Sequence, residues 1–466
     1  MVFSSITFVS VFLPVVFLLH WLLPNIKVKN ALLILASLLF YAYGEPVYVL
    51  LMIGSVFVNY LLGLMCGSSK EKARWEKAGL LLAVIWNLGL LIIFKYAGFL
   101  AGAVNTTGLV QLPVPQIELP IGISFFTFQA LSYVIDVYRQ SVKPQKNFFK
   151  VLLYISFFPQ LIAGPIVKYH DMEQEIDERQ VTLEGTARGM RRFVAGLSKK
   201  VLLSNVLGLT VDTLFAANPG SINILTAWIA AISYLLQIYF DFSGYSDMAL
   251  GMGEMFGFHF RENFNYPYVS GSIREFWRRW HMSLSGWFRE YLYIPLGGNR
   301  KGRIRTVVNK FIVFFCTGLW HGASSTFVVW GLYHGAFLML EEYLPIRQTR
   351  SRLSSVLKHI YALLVVTVGF VIFRGDTMAQ GCFFIKEMFT GFHFEPAAVS
   401  LALQQLTPLY LVVLTVSAVV CCPVKEWLCG KRIYESLAWI CSVAGLVLCM
   451  LSLSGSTYNP FIYFRF

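Results

Sequence analysis

The stretch Phe311-Ile-Val-Phe-Phe-Cys-Thr-Gly-Leu-Trp320-His321-Gly322-Ala-Ser-Ser-Thr-Phe-Val-Val-Trp330-Gly-Leu-Tyr-His334-Gly335 holds two histidines and no Asp, Glu, Lys or Arg. The charge-free run continues from Lys310 to Glu341, which is more than one crossing of a bilayer's hydrocarbon core requires. An ionisable side chain in such a run is costly unless it is paired, wet or used, so His321 is a candidate functional residue. Gly322 beside it permits close approach of another chain or a substrate. The bland alternative is a satisfied core histidine, and these residues alone do not choose between the two.

The rest of the chain has the same character. Of 466 residues, 56% are hydrophobic and 14% charged, against about 25% charged in soluble domains. The mean hydropathy of +0.62 is more apolar surface than a soluble fold of this length can hide. Apolar segments recur near 5–23, 30–44, 46–66, 79–104, 118–136, 148–167, 193–215, 222–250, 306–344, 359–375, 404–421 and 436–453. The 306–344 segment reads as two. The expected fold is an all-α polytopic membrane protein, one domain over residues 1–466, with about eleven transmembrane helices plus re-entrant or interfacial ones. The N-terminus has no basic leader and no small-residue cleavage site, so it reads as a first span.

Lys plus Arg is 38 against 25 for Asp plus Glu, a net +13. No basic groove module accompanies that excess, so nucleic acid is excluded in favour of cytoplasmic loops rich in Lys and Arg. Lys27 and Lys29 follow the first span, Lys70, Lys72, Arg74 and Lys77 the third, and Arg139, Lys143, Lys146 and Lys150 the fifth, whereas Asn105–Gln116 has none. This alternation places the N-terminus outside. The eight cysteines form no C-x-x-C pair and read as small hydrophobes; no metal site is expected. P-loop, G-x-S-x-G and H-E-x-x-H signatures are absent, and no fixed-period repeat or pair of related halves of the transporter kind is visible.

Two further segments carry chemistry. In the run ending Phe240-Asp241-Phe242-Ser243-Gly244-Tyr245-Ser246-Asp247, with Glu254 beyond it, three carboxylates follow an apolar helix. Asp247 and Glu254 share a helical face, and they either pair with arginines or line a polar cavity. Between Arg274 and Tyr291, Trp277, Trp280, Leu284, Trp287, Phe288 and Tyr291 fall on one helical stripe beside Arg274, Arg278 and Arg289. That pattern predicts an interfacial amphipathic helix. His281 lies on the seam, where desolvation and nearby cations favour the neutral imidazole. On a continuous helix His334 would stand about 20 Å and about 220° from His321, so His281 is the better partner.

These motifs resemble the membrane-bound O-acyltransferases. The resemblance rests on Met1-Val-Phe-Ser-Ser, the 241–247 motif, Asn263-Phe-Asn265-Tyr-Pro, Phe276-Trp-Arg-Arg-Trp-His281, Tyr293-Ile-Pro-Leu-Gly-Gly-Asn-Arg300 and Gly318-Leu-Trp-His321-Gly-Ala, with Phe125–Gln129 and Phe158–Pro165 in support. The nearest branch is the alginate O-acetyltransferase type, related to teichoic acid D-alanyltransferases. The resemblance implies a helical shell around a central tunnel, with a catalytic core near 121–335. It implies His321 as general base and His281 as its upstream partner, with Asp241, Ser243, Tyr245, Asn263, Asn265, Arg278 and Trp320 as substrate contacts. It further implies no bound cofactor and a cytoplasmic acyl thioester, acetyl-CoA or an acyl carrier protein, as co-substrate. The acceptor would be an extracellular polysaccharide, served by an extracytoplasmic SGNH-type acyltransferase, in a bacterial inner membrane. A lysophospholipid-type acyltransferase and a polysaccharide or lipid transporter are the alternatives.

Overall fold

The computed structural model describes residues 1–67, 73–344, 351–424, 434–455 and 458–462; Lys70, Lys72 and Cys429 lie outside them. The described residues are helical and contain no strand. They divide into two compact units, one of Met1–Val194 with Tyr245–Arg261 and one of Ala195–Gly244 with Glu262–Phe466.

In chain order the helices are α1 (Leu13–Leu22), α2 (Ile26–Ala42), α3 (Tyr48–Cys66), α4 (Ala73–Leu91), α5 (Ala97–Asn105), α6 (Ile123–Tyr138), α7 (Phe148–Ser156), α8 (Phe158–Leu161), α9 (Tyr169–Glu178) and α10 (Leu183–Ser198). They continue with α11 (Asn205–Phe215), α12 (Ile224–Met255), α13 (Ile273–Arg279), α14 (Met282–Phe288), α15 (Arg303–His321), α16 (Ser325–Tyr343) and α17 (Arg352–Arg374). The last are α18 (Met378–Thr390), α19 (Pro396–Gln405), α20 (Pro408–Val420) and α21 (Tyr434–Gly455). Six helical stretches among the described residues are long and apolar enough to cross a membrane, or seven if the pair α19 and α20, bent by 64°, counts as one. That is fewer than the about eleven spans expected from the sequence; several of the apolar segments fold as helices of fewer than 18 residues, such as α2 and α6.

In the first unit, polar side chains join apolar helices where no water would satisfy them. The buried Asn59 and Asn87 exchange amide hydrogen bonds of 3.2 and 2.7 Å between α3 and α4, the kind of polar contact that fastens helices in lipid. Arg188 and Arg192 of α10 reach Glu254 at 2.7 Å and Asp247 at 2.9 Å on α12. The two carboxylates that share a helical face therefore meet arginines, the plainer of the two readings open to the sequence. Tyr245 belongs to this unit, buried and stacked on Phe3 with ring centroids 4.4 Å apart.

In the second unit α15 and α16 form a close hairpin. A Cβ on Gly318 would stand 2.4 Å from Phe327 O, and one on Gly331 2.3 Å from Phe314 O. Glycine at both positions lets the backbones touch, as small residues do between membrane helices. The hairpin turns after His321, where Gly322 is extended at φ −177°. The helix through 321 to 334 assumed from periodicity is thus two helices, and the rotational argument separating His321 from His334 does not apply.

The amphipathic helix expected over 274–291 is also interrupted. It breaks at Trp280 and His281, with His281 left-handed at φ 44° and ψ 55°. The cause lies in another segment: Asn265 N donates to Arg279 O at 2.9 Å and Met282 N donates to Asn263 O at 2.9 Å. Backbone groups that a helix would use internally pair with residues 263–265 instead.

A buried tie completes this unit. Lys200 pairs with Asp241 and also donates to Pro460 O. Asp241 accepts from Ile462 N at 2.9 Å, and Tyr458 Oη donates to Asp212 at 2.7 Å. Asp241 thus neutralises a buried cation and docks the 458–462 segment, satisfying charges that would be costly alone.

Candidate active site

The site grows from the break at His281. α13 is fixed at its start: Ser272 caps it by accepting from Glu275 N at 3.1 Å. Glu341 of α16 accepts from Ile273 N at 2.6 Å and Arg274 N at 2.9 Å, placing a carboxylate on the exposed amides of the first turn. Trp277, Phe276 and Trp280 then face the unit's core, and the chain turns through the left-handed residue His281. A non-glycine residue there carries backbone strain that its surroundings must hold in place.

Asn263 holds it. The Asn263 side-chain oxygen accepts from Ser283 N at 3.1 Å and from Ser283 Oγ at 2.9 Å, and lies 3.2 Å from His281 Nδ1. A backbone N–H can only donate, so the atom it meets is the amide oxygen. Facing that same oxygen, His281 Nδ1 carries the proton of the neutral ring, which leaves the lone pair on Nε2. The Nε2 atom is buried and has no hydrogen-bond partner among the described residues. Burial pushes the imidazole well below its ordinary pKa, and charge on His321 acts in the same direction. Neutrality was the expectation; the like charge comes from His321, while Arg278 is exposed.

His321 is the last residue of α15 and is buried. Its ring packs edge-on against Trp320, Trp330 and Phe373, with centroids 5.0, 5.1 and 5.2 Å away. Trp320 also meets His281 at 5.9 Å, and Phe242 meets His281 at 4.5 Å. The two imidazoles therefore stand in one aromatic enclosure, bridged by Trp320. His334 is buried beside it, 5.2 Å from both Trp330 and Trp277.

The other sequence candidates divide. Ser243 is buried next to Phe242, and its hydroxyl has no partner among the described residues. Asn265 and Arg278 are exposed; Asn265 is engaged with Arg279 through its backbone oxygen at 3.2 Å. Asp241 makes the buried tie to Lys200, and Tyr245 lies in the first unit. Sequence reasoning did not anticipate Ser283, Phe242, Trp330 and Phe373 as neighbours of the histidines. Ser283 stands two residues after His281 and Trp330 nine after His321, on the next helix; Phe242 and Phe373 come from helices distant in sequence.

The arrangement suits proton transfer in a dry setting. A neutral imidazole with a fixed tautomer accepts a proton or hydrogen bond at a defined atom, and aromatic walls exclude water. Asn263→Ala is expected to lower kcat by on the order of tenfold to a hundredfold, the lower part of what a positioned acid or base contributes, with KM little changed. Asn263→Asp should keep an acceptor at Nδ1 but add negative charge, which raises the imidazole pKa. The ring then stays protonated to higher pH, so the acid limb of the kcat/KM profile should move upward. An unchanged profile in both variants would remove Asn263 from the orientation of His281.

A family model of the membrane-bound O-acyltransferases matches residues 38–374. The chain is 37% identical to a probable alginate O-acetylase AlgI of Pseudomonas putida, over all of both chains. It is 34% identical to a peptidoglycan O-acetyltransferase of Helicobacter pylori, over 83% of this chain and 80% of that one. A teichoic acid D-alanyltransferase of Bacillus subtilis is 28% identical over 55% of this chain and 68% of its own length.

Proposed function

The chain belongs to the membrane-bound O-acyltransferase family, and from that premise we propose that it moves an acetyl group from a cytoplasmic thioester across the bilayer to a hydroxyl of an extracellular polysaccharide or of a partner protein. The names alginate O-acetylase and peptidoglycan O-acetyltransferase carried by its relatives favour a polysaccharide as the final acceptor. The observation that carries the mechanism is the paired imidazoles, both buried and both packed on Trp320.

His321 takes the proton from the acceptor hydroxyl as its oxygen attacks the thioester carbonyl carbon. The carbonyl π electrons move onto oxygen to form a tetrahedral intermediate, and their return expels the thiolate. The imidazolium then gives its proton to the sulfur, so the base is regenerated and the products are an ester and a thiol. His281, with its lone pair on Nε2, orients the hydroxyl or the bound donor. The aromatic enclosure limits hydrolysis of the thioester by keeping water out.

The polymer is reached through an extracytoplasmic partner of the SGNH acyltransferase type. No loop of the sequence has the length of a carbohydrate-binding domain, and the uncharged Asn105–Gln116 segment suits protein docking better than a polyanion. The test is purified protein in proteoliposomes with a thioester donor and polysaccharide alone. Polymer acetylation should require addition of the partner. Efficient acetylation without it would assign the whole transfer to this chain.

A further inference from the structure

The acyl transfer proposed for His321 builds up a negative charge that neither histidine receives. As the hydroxyl oxygen bonds the thioester carbon, an electron pair moves onto the carbonyl oxygen, and hydrogen-bond donors placed there beforehand stabilise it. His321 faces the hydroxyl, and His281 offers a lone pair at Nε2 rather than a proton.

Buried side chains beside His321 carry polar atoms that meet no partner among the described residues: the indole N–H groups of Trp277 and Trp330, and both ring nitrogens of His334. Their rings form a triangle. Centroid to centroid, Trp277 lies 5.7 Å from Trp330 and 5.2 Å from His334, and Trp330 lies 5.2 Å from His334. Trp330 is also in contact with His321, at 5.1 Å and perpendicular to it. Trp277 comes from α13, while Trp330 and His334 stand one turn apart on α16.

A buried indole ordinarily finds an acceptor. Trp228 of the same unit does so, donating to Met388 O at 2.8 Å. The triangle is instead walled by hydrocarbon: Phe314 against Trp277, Phe373 against Trp330 and Phe276 against His334. Gly369 closes on His334, where a Cβ would stand 2.7 Å from Nε2. The triangle holds more donors than acceptors, since a neutral imidazole adds one N–H and one lone pair to the two indole N–H groups. That balance suits a ligand atom that accepts, such as a carbonyl oxygen gaining negative charge.

We propose that Trp330 and Trp277 are further catalytic residues, whose indole N–H groups donate to the thioester carbonyl oxygen and hold its charge in the tetrahedral intermediate. The proposal rests on the acyl-transfer reading above. Neither indole gives up its proton. The carbonyl π pair moves onto oxygen as the new O–C bond forms, and its return re-forms the carbonyl while sulfur leaves with the C–S pair. With water excluded by the aromatic walls, such donors act more strongly than they would in solution.

Trp330→Phe and Trp277→Phe each remove an N–H and keep an aromatic ring. Trp228→Phe, which loses the hydrogen bond to Met388, is the control. Transfer from saturating acetyl-CoA is assayed in proteoliposomes with polysaccharide and partner present. Each of the first two variants should lower kcat about 10²–10³-fold, the loss typical of one oxyanion donor, with KM little changed. The control should stay within a few fold of wild type. With fluoroacetyl-CoA the loss should shrink, because fluorine already draws charge from the oxygen. Misplacement of His321 through altered packing would instead slow both thioesters alike.

A second measurement needs no turnover. The isotope-labelled carbonyl of acetyl-CoA bound to the His321→Gln chain is followed by infrared difference spectroscopy. Its stretch should lie below that of S-ethyl thioacetate in a hydrocarbon solvent, and adding Trp330→Phe or Trp277→Phe should raise it.

A kcat within a few fold of wild type in either phenylalanine chain would overturn the proposal. So would equal losses with the two thioesters, or a carbonyl stretch that neither substitution moves. Where a phenylalanine chain fails to fold, the His321→Gln chain decides alone: a stretch at the hydrocarbon position means that no donor reaches the carbonyl. Failure of the acyl-transfer reading would look different, because wild type would then acylate no acceptor from either thioester.

Discussion

His321→Ala leaves a protein that inserts and folds but transfers no acetyl group above background. The His321 ring is buried at 6% exposure among Trp320, Trp330 and Phe373. It contributes packing to the second unit, and its loss opens a cavity costing on the order of 2–4 kcal/mol, which calls for a folding control. Catalysis should suffer far more. Removing a positioned base costs typically 10²–10⁴-fold, and without it a polysaccharide hydroxyl is a poor nucleophile at neutral pH. Acetyl content of polymer from a deletion strain complemented at matched protein level is the measurement, with thermal unfolding of purified protein as the control. Wild-type acetylation would remove His321 from the chemistry. Loss of both folding and activity would direct attention to His321→Gln, which keeps much of the volume without the base and should fold and remain inactive.

His281→Ala should cost at least about a hundredfold in kcat/KM, although 40 residues separate it from His321. Its Nε2 lone pair is fixed by the Nδ1 contact to Asn263, and His281 itself stands just before α14 with a left-handed backbone. Alanine tolerates that conformation no better than histidine does. A fall in activity is therefore to be read beside His281→Asn, since asparagine enters the left-handed region more readily. If the backbone alone matters, asparagine restores activity. If the imidazole matters, both variants remain impaired.

The membrane class and the burial of His321 were legible because they depend on local facts, whereas His281 rested on the motif resemblance, since the helical argument that preferred it to His334 does not apply. A charge-free run from Lys310 to Glu341 announces burial wherever it is placed, and His321 inside it is conspicuous. The pairing of Asp247 and Glu254 with arginines was open to reading because the seven-residue spacing fixes one helical face. What periodicity could not supply were interruptions imposed from outside a segment. The stripe from Trp277 to Tyr291 fits an unbroken helix, yet residues 263–265 capture backbone groups at 279 and 282 and turn the chain at His281. The same limit applied to His334. A helical wheel separates it from His321, but the turn at Gly322 places both rings against Trp330. The motif resemblance placed Asp241 among the substrate contacts. Its neutralising partner Lys200 is 41 residues away, and the 458–462 segment that completes the tie is farther still.

The most direct test of two imidazoles serving one transition state is a double-mutant cycle. Wild type, His321→Ala, His281→Ala and the double variant are reconstituted at equal density and assayed for acyl transfer from the thioester donor. Residues that act as a unit show losses that do not multiply, so the double variant should be no more than a few fold slower than the slower single variant. A double variant slowed by the full product of the two single losses would contradict the account, because the histidines would then act independently.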